Sequence, residues 1–234
     1  MRPSASRDTT PAILLVGASR GLGLAMAAEF LNRGWNVVGT VQGGARTPLH
    51  DLADEHPGRI EIESLDITEP DQITALHDRL LGRGFDILFH NAGIANANPL
   101  QSAAEAFVRV MVTNALAPMR VIEGLQDLVP ADGLIGVMSS GQGSIGNNEQ
   151  GRNDIYRGSK AALNQFMRCY AARHAEAPRA LVLMAPGWIR TALGGPDAPF
   201  SVEEAIPKVV DVLLSQQGKP GLQFLDREGR AVPW

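Results

Sequence analysis

A tyrosine and a lysine four residues apart are the first candidates for chemistry in this chain of 234 residues. Tyr156 and Lys160 lie in the segment Ile-Tyr-Arg-Gly-Ser-Lys-Ala-Ala-Leu, residues 155–163. On a helix, residues at i and i+4 share one face. An ammonium group beside a phenol favours the phenolate, so Lys160 predicts a pKa for Tyr156 below its usual value of about 10. The pair could therefore exchange a proton near neutral pH, or it could be two residues on a solvated helix face.

A glycine-rich turn near the N-terminus is the second candidate. Gly17, Gly21 and Gly23 fall within seven residues, between a predicted strand and a predicted helix. Glycine lets the backbone turn tightly and approach a pyrophosphate, and the free N–H groups at a helix start favour negative charge. The pattern predicts a nucleotide site, with a tight turn that binds no ligand as the alternative.

The segment after the second predicted strand bears on the choice of nucleotide. An NAD site usually has a carboxylate about 20 residues after the turn, where it binds the ribose hydroxyls. Residues 38–46 contain no Asp or Glu. Arg20 in the turn could instead pair with a 2′-phosphate, with Arg46 assisting, although both could be plain surface arginines. The sequence therefore predicts that NADP(H) is preferred over NAD(H).

Strands and helices must alternate along the chain to bring these residues together. Short apolar, β-branched runs predict strands, and apolar residues at helical spacing predict helices. We expect Pro118 to bend the longest helix, and Asn153 or Asp154 to cap the helix that carries Tyr156. The predicted strands are residues 12–16, 36–41, 59–65, 85–90, 133–139, 179–184 and 222–225, and the predicted helices are residues 21–33, 69–81, 100–128, 154–174 and 202–214.

This alternation predicts an α/β fold, a doubly wound (Rossmann-type) parallel sheet of about seven strands with helices on both faces. Residues 1–10 are predicted to be a mobile tail, and residues 11–234 a single dinucleotide-binding domain. No stretch reaches the roughly 18 apolar residues that a membrane span needs.

The composition argues against several classes of partner. The net charge is -4 and no basic stripe is present, so nucleic acid and anionic membranes are poor partners. The single cysteine, Cys169, implies no disulfide framework and a reducing, cytoplasmic location. The five histidines are scattered, so we expect no metal site.

Taken in order, the motifs resemble those of the short-chain dehydrogenase/reductase family. The resemblance covers residues 12–234, and residues 140–146, 186–196 and 224–234 are similar to the C-factor type within the family. The matching parts are the glycine turn, Asp66 after the third strand, Asn91-Ala92-Gly93 after the fourth, Asn114 in the long helix, and Ser140 ahead of Tyr156 and Lys160.

The resemblance implies a role for each of these residues. Tyr156 would pass a proton to or from the substrate oxygen, and Ser140 would hydrogen-bond that oxygen. Lys160 would hold the nicotinamide ribose and lower the tyrosine pKa, and Asn114 would hold a water of the proton relay. Asp66 would meet the adenine. The implied cofactor-binding residues are Gly17, Ser19, Arg20, Gly21, Leu22, Gly23, Asp66, Ile67, Asn91, Ala92, Gly93, Tyr156, Lys160, Pro186, Gly187, Ile189 and Thr191.

The chain departs from the family pattern at three places. Val16 stands where the family usually has Thr, so a hydroxyl that steadies the turn is missing. His90 replaces the first Asn of the usual Asn-Asn-Ala-Gly. The gap from Ser140 to Tyr156 is longer than the family commonly shows, and the extra residues, within 146–153, form a polar loop that could border the substrate.

The resemblance implies an NADP(H)-dependent oxidoreductase that transfers a hydride between nicotinamide and a small carbonyl or alcohol substrate, with residues 186–200 as a partly apolar cover. One alternative is a nucleotide-binding signalling or regulatory protein of C-factor type with little turnover. A lesser one is a sugar-nucleotide epimerase or dehydratase, for which the chain after Pro186 is short. Apolar residues on the helices at 100–128 and 154–174 predict a homodimer or homotetramer.

Overall fold

Seven parallel strands form one sheet in the computed structural model, which describes residues 10–95 and 104–234. The strands are β1 (Ala12–Val16), β2 (Asn36–Val41), β3 (Ile60–Ser64), β4 (Ile87–His90), β5 (Leu134–Met138), β6 (Ala180–Ala185) and β7 (Gly221–Asp226). Their order across the sheet is β3-β2-β1-β4-β5-β6-β7, with every pair parallel. The order reverses between β1 and β4, where an open α/β sheet leaves a crevice at its carboxyl edge.

Helices cover both faces of this sheet. They are α1 (Gly21–Asn32), α2 (Pro48–Glu55), α3 (Pro70–Leu80), α4 (Ala104–Met111), α5 (Ala117–Leu125), α6 (Asp154–Arg173) and α7 (Val202–Gln216). Apolar side chains of α1, α2 and α7 share one core with the sheet, and those of α3, α5 and α6 share the other. The predicted doubly wound fold is confirmed.

β1 shows why the strands read as continuous apolar runs. Leu14 and Val16 point into the core beneath α3, α5 and α6, whereas Ile13 and Leu15 point into the opposite core. All four side chains are fully buried. A strand covered on both faces needs apolar residues at every position, since successive side chains alternate between the faces.

The helix α2 was not predicted. It is eight residues long and buries only Leu49, so its apolar pattern is weak. Thr47 precedes it and Pro48 occupies its first turn, which are ordinary signs of a helix start. The reciprocal cap is made by His50, whose Nδ1 lies 3.1 Å from the Thr47 backbone nitrogen, where Glu or Gln is usual.

The helix predicted over residues 100–128 is interrupted in its middle. Residues 100–103 lie outside the described residues. After α4 the chain forms a π-helical turn, Val112–Leu116, continues as α5, and ends in a 3₁₀ turn at residues 126–128. Pro118 follows the π turn and has no N–H to donate to the Asn114 carbonyl, its partner four residues earlier. The predicted bend is therefore a π turn centred on Asn114, and such turns are frequent at functional sites.

The remaining predicted elements agree with the structure to within two residues at each end. Asn153 occupies the N-cap position of α6 in a left-handed conformation, without a capping bond from its side chain. Residues 1–9 of the predicted tail lie outside the described residues. None of the helices in the described ranges combines the length and the hydropathy needed to cross a membrane.

Candidate active site

The predicted site residues follow four neighbouring strands. The glycine turn begins after β1, Asn91 follows β4, Ser140 lies just beyond β5, and Pro186 follows β6. The carboxyl ends of parallel strands lie at one edge of a sheet, and ligands of such folds bind there. The topology thus gathers the predicted residues at one edge.

The glycine turn is packed too closely to admit side chains. A Cβ on Gly17, whose φ is +85°, would lie 2.7 Å from the Cβ of Ala92, and a Cβ on Gly23 would lie 2.1 Å from the Gly17 oxygen. Asn91 donates its side-chain amide to the same oxygen at 2.8 Å. The N-terminus of α1 therefore approaches the strand ends closely, as a pyrophosphate site requires.

Thr40 supplies the hydroxyl that Val16 cannot. Its Oγ1 accepts the Gly17 N–H at 2.9 Å, and its backbone oxygen accepts the Ala18 N–H at 2.8 Å. The side chain is buried at the end of β2. Sequence analysis missed this residue. The pairing of β1 with β2 could have identified it. Leu15 lies opposite Gly39, so the next residues of the two parallel strands, Val16 and Thr40, lie side by side.

The two predicted phosphate-binding arginines differ in their surroundings. Arg20 is exposed at the N-cap position of α1, and its guanidinium pairs with no acceptor within the described ranges. Arg46 is held by two carboxylates, with Nη2 at 2.7 Å from Asp51 and 2.5 Å from Asp54. Arg20 is thus free to meet an anion, whereas the charge of Arg46 is already neutralised. Ser19 and Leu22 of the turn are half-buried.

Asp66 is fixed in its ionised form. One carboxylate oxygen accepts the backbone N–H and the hydroxyl of Thr68, at 2.9 and 2.7 Å. The other accepts the side-chain amide of Gln42 at 2.8 Å. These bonds, those of Thr68 first, hold the pKa of Asp66 below its usual value. The buried Ile67 follows it beside the cleft.

Tyr156 lies beside Ser140 in the folded chain. Burial raises the pKa of the Tyr156 phenol above its usual value, and the neighbouring Ser140 hydroxyl offsets only part of that rise. This is opposite to the lowered pKa that the Tyr-x-x-x-Lys spacing predicted. The reason is that the Lys160 ammonium lies 5.9 Å from the centre of the phenol ring, so desolvation of the phenolate dominates.

Lys160 is buried beneath the end of β5. Its Nζ donates to the Met138 carbonyl at 2.8 Å. The residue as a whole is 4% exposed. Burial lowers its pKa to about 8, because the charged form loses hydration. A Cβ on Gly93 would lie 3.6 Å from this Nζ, so Gly93 keeps the space above the ammonium open.

The side chain of Asn114 is fully engaged. Its Oδ1 accepts the Ile94 N–H at 2.9 Å, and its Nδ2 donates to the Ile94 carbonyl at 2.8 Å and to Ser159 Oγ at 3.0 Å. Ser159 in turn donates to the Tyr156 carbonyl at 2.7 Å. Asn114 therefore ties the π turn both to the chain after β4 and to the helix of Tyr156.

His90 is buried at the end of β4, with 1% of its surface exposed. Its Nε2 makes no hydrogen bond within the described ranges. Burial, and then the positive charge of Lys160, lower its pKa to about 3. The residue is therefore a neutral imidazole beside Lys160.

The predicted cover, residues 186–200, is folded onto itself. Ile189 is buried and pairs with Phe200, and Trp188 Nε1 donates to the Gly194 carbonyl at 2.7 Å. The Thr191 hydroxyl accepts the Gly194 N–H at 3.0 Å. Pro186 is buried and Gly187 is exposed at the start of the segment. The Trp188 ring remains half exposed at this edge of the sheet.

The predicted polar loop, residues 146–153, lies between the turn of Ser140 and α6. Asn153 donates its amide to the side chain of Gln142 at 3.1 Å, and the Trp234 carbonyl accepts the Gly146 N–H at 3.0 Å. Ile145, which directly precedes the loop, is 77% exposed. An apolar side chain thus lies in solvent near the strand ends. Within residues 10–95 and 104–234 no group of His, Cys, Asp or Glu could hold a metal ion.

The sequence and fold of the chain are similar to those of known proteins. The family model described as Enoyl-(Acyl carrier protein) reductase matches residues 17–208. A structure from Burkholderia multivorans, described as a short-chain dehydrogenase/reductase with bound NADP, is 63% identical with a TM-score of 0.95, covering 97% of this chain and 100% of that one. A carbonyl reductase of Pseudomonas aeruginosa PAO1 in complex with NADP is 33% identical with a TM-score of 0.89, covering 97% and 100%.

A curated relative carries the predicted C-factor likeness. The C-signal protein of Myxococcus xanthus is 29% identical over 153 residues, which are 64% of this chain and 92% of that protein. The family match over residues 17–208 includes the glycine turn and the helix of Tyr156, and it spans most of the chain. On sequence and structure together, the chain belongs to the short-chain dehydrogenase/reductase family of oxidoreductases.

Proposed function

We propose that the protein transfers a hydride between NADP(H) and a carbonyl or alcohol substrate, with Tyr156 as acid and base. The observation that carries this proposal is the placement of Ser140 beside Tyr156, with the buried Lys160 next to the phenol ring. When bound, the nicotinamide supplies or accepts the hydride. The relatives solved with NADP support the use of this cofactor.

Tyr156 serves best as a proton donor. Its raised pKa keeps the phenol protonated near neutral pH, so it can protonate the oxygen of a carbonyl as the hydride arrives. Ser140, already within hydrogen-bond reach of the phenol, can donate to the same oxygen and polarise the carbonyl. The phenol is thus in the protonated form that carbonyl reduction requires.

Lys160 and Asn114 act behind this pair. Lys160 would hold the nicotinamide ribose and stabilise the phenolate that remains after proton transfer. Both amide hydrogens of the Asn114 side chain are already donated, to Ile94 and to Ser159. We therefore assign a relay water to its backbone carbonyl, to which Pro118 cannot donate, rather than to its amide.

The remaining cofactor contacts follow from the geometry at the sheet edge. The pyrophosphate would lie on the glycine turn, the adenine beside Asp66 and Ile67, and the nicotinamide between Gly93 and the start of the cover. The residues of the turn and cover assigned to this site are Gly17, Ser19, Gly21, Leu22, Gly23, Asn91, Ala92, Pro186, Gly187, Ile189 and Thr191.

Arg20 would hold the 2′-phosphate and make NADP(H) bind more tightly than NAD(H). Calorimetric titration at equal salt tests this with both cofactors. Arg20→Ala should weaken NADPH about 10-fold or more, as expected for a charged hydrogen bond, and leave NADH unchanged. Arg46→Ala is the matched control, because its charge is already paired with Asp51 and Asp54. Equal affinity of the wild type for both cofactors would contradict the assignment.

A panel of ketones and aldehydes tests the reaction itself, with NADPH oxidation as the signal. We expect turnover of at least one compound by the wild type and loss of that turnover in Tyr156→Phe. Tight NADPH binding without turnover on any carbonyl would instead favour the second candidate, a nucleotide-binding signalling protein, for which the similarity to C-signal is the support.

We further propose that the protein is a cytoplasmic homodimer or homotetramer acting on a small molecule. The lone Cys169 suits a reducing compartment. Half-exposed apolar side chains on α4, the π turn and α6 suit an interface between copies; they are Phe107, Val108, Leu116 and Phe166.

A further inference from the structure

Asn164 lies on α6 one turn beyond Lys160 and is 4% exposed. Its Oδ1 accepts the Ser139 hydroxyl at 2.6 Å, and its Nδ2 donates to the Gly143 carbonyl at 3.2 Å. Ser139 directly precedes Ser140, and Gly143 ends the short 3₁₀ turn that Ser140 caps. One buried amide therefore holds the chain on both sides of Ser140.

The turn that carries Ser140 packs directly on the helix at this point. A Cβ on Gly143 would lie 2.9 Å from the Cβ of Lys160 and 3.0 Å from Asn164 Nδ2. Inside the turn, the Ser140 hydroxyl accepts the Gln142 N–H at 3.1 Å. Tyr156, Lys160 and Asn164 stand at successive intervals of four along α6, so they share one side of the helix.

Tyr156 and Ser140 come from different elements, one from α6 and one from the end of β5. How closely the two hydroxyl groups approach depends on how the turn packs against the helix. Lys160 bonds the Met138 carbonyl ahead of the turn, and Asn164 makes the two bonds that bracket Ser140 itself. The Ser139 hydroxyl and the Gly143 carbonyl are both buried, so each would lose its hydrogen-bond partner if Asn164 were replaced by an apolar residue.

We propose that Asn164 is a positioning residue that sets Ser140 against Tyr156 for proton transfer. This inference rests on the proposed function, since it assigns Ser140 to the reacting oxygen. Asn164 does not contact substrate or cofactor. It acts through the backbone of the turn, and a displacement of about 1 Å at a reacting group can lower a rate about 100-fold.

Asn164→Leu tests the proposal, with Gln165→Leu as the matched control on the exposed side of the same helix. We expect kcat for a reactive carbonyl to fall about 10- to 100-fold in Asn164→Leu and to stay unchanged in Gln165→Leu. KM and Kd for NADPH should stay unchanged in both, because the glycine turn is not affected. Ser139→Ala removes one of the two bonds and should lower kcat in the same direction by less, which provides a milder variant if Asn164→Leu fails to fold.

A double-mutant cycle separates positioning from a general loss of structure. If Asn164 acts through Ser140, then Asn164→Leu should lower kcat little further in a Ser140→Ala background. Independent multiplication of the two effects would overturn the proposal, as would an unchanged kcat in Asn164→Leu and Ser139→Ala.

Native-state hydrogen exchange gives a readout that does not need a substrate. The amides of Gln142 and Gly143 should exchange faster in Asn164→Leu than in the wild type, because the turn loses its attachment to the helix. Faster exchange together with an inactive wild type would mean that the proposed reaction is wrong while the structural role stands. Unchanged exchange would overturn the proposal whatever the activity.

Discussion

The phenol of Tyr156 is held in surroundings that favour its neutral form. Burial raises its pKa, and the neighbouring Ser140 hydroxyl offsets part of that rise. A group that stays protonated near neutral pH is available to donate a proton.

Replacing Tyr156 by Phe should remove the acid and keep the ring. We expect kcat for carbonyl reduction to fall by about 10²–10⁴-fold, while the Kd for NADPH stays nearly the same. Steady-state kinetics and calorimetry measure the two quantities. Tyr170→Phe is the control, because the hydroxyl of Tyr170 bonds Gln126 instead of Ser140; substantial activity in Tyr156→Phe would remove Tyr156 from the mechanism.

Burial of the Lys160 ammonium lowers the stability of the folded chain. Its pKa of about 8 in the folded protein lies below the value of about 10.4 in an unfolded chain. Between these pH values the unfolded state binds the extra proton, so the free energy of unfolding rises with pH across this window. Below pH 8 the full penalty of burying the charge remains.

Lys160→Met should therefore be more stable than the wild type at pH 7, by on the order of 1–3 kcal/mol after the loss of the bond to Met138. The difference should shrink as the pH rises from 8 to 10. Urea denaturation at several pH values measures it, with the exposed Lys208→Met as control. A destabilised variant at pH 7 would show that the bond to Met138 outweighs the buried charge.

At the scale of elements, the alternation of apolar runs and glycine or proline predicted every strand. For the central strands it did so because strands buried on both faces tolerate apolar residues alone, as β1 shows, whereas the edge strand β3 alternates Ile with Glu. The helix α2 escaped because it buries only Leu49. Contacts between distant parts of the chain were not predicted either, such as those of Thr40 with Gly17 and of Asn164 with Ser139. They depend on strand register and on how one helix packs, and no local pattern encodes either.

The glycine turn shows the opposite case, where local chemistry dictates the contact. Gly23→Ala would place a Cβ 2.1 Å from the Gly17 oxygen, and backbone cannot yield as a side chain can. We expect NADPH affinity to fall at least about 10-fold and the melting temperature to fall by several degrees, as for other overpacked sites. Gly44→Ala is the control, since its Cβ would meet nothing within 4 Å. Retained affinity in Gly23→Ala would contradict the pyrophosphate assignment.

At the scale of the whole molecule, the apolar residues of α6 divide between two surroundings. Leu163 and Met167 are buried against the sheet, whereas Phe166 is 40% exposed. Phe107 and Val108 on α4 are likewise about half exposed. These side chains form a surface that a second copy could cover through a two-fold contact.

Light scattering after size exclusion should give a mass of two or four chains at micromolar concentration. Phe166→Glu should shift the protein towards a single chain, because it places a charge in the proposed interface. Leu81→Glu, at an exposed position beyond α3, should leave the mass unchanged. A wild-type mass near 25.0 kDa would rule the association out.

His90 limits the acidity that the fold can withstand. The unfolded chain takes up a proton on this imidazole near pH 6.5, whereas the buried ring stays neutral down to about pH 3. As the pH falls through that window, the unfolded state binds a proton that the folded state does not bind, and the free energy of unfolding therefore decreases. His90→Asn should lose less stability than the wild type between pH 7 and pH 4.5, by about 1–3 kcal/mol, in urea melts; equal losses would mean that other groups govern the response. We therefore expect the position where this chain departs from the Asn-Asn-Ala-Gly pattern to reduce the stability of the fold in acid, from a buried site beside Lys160.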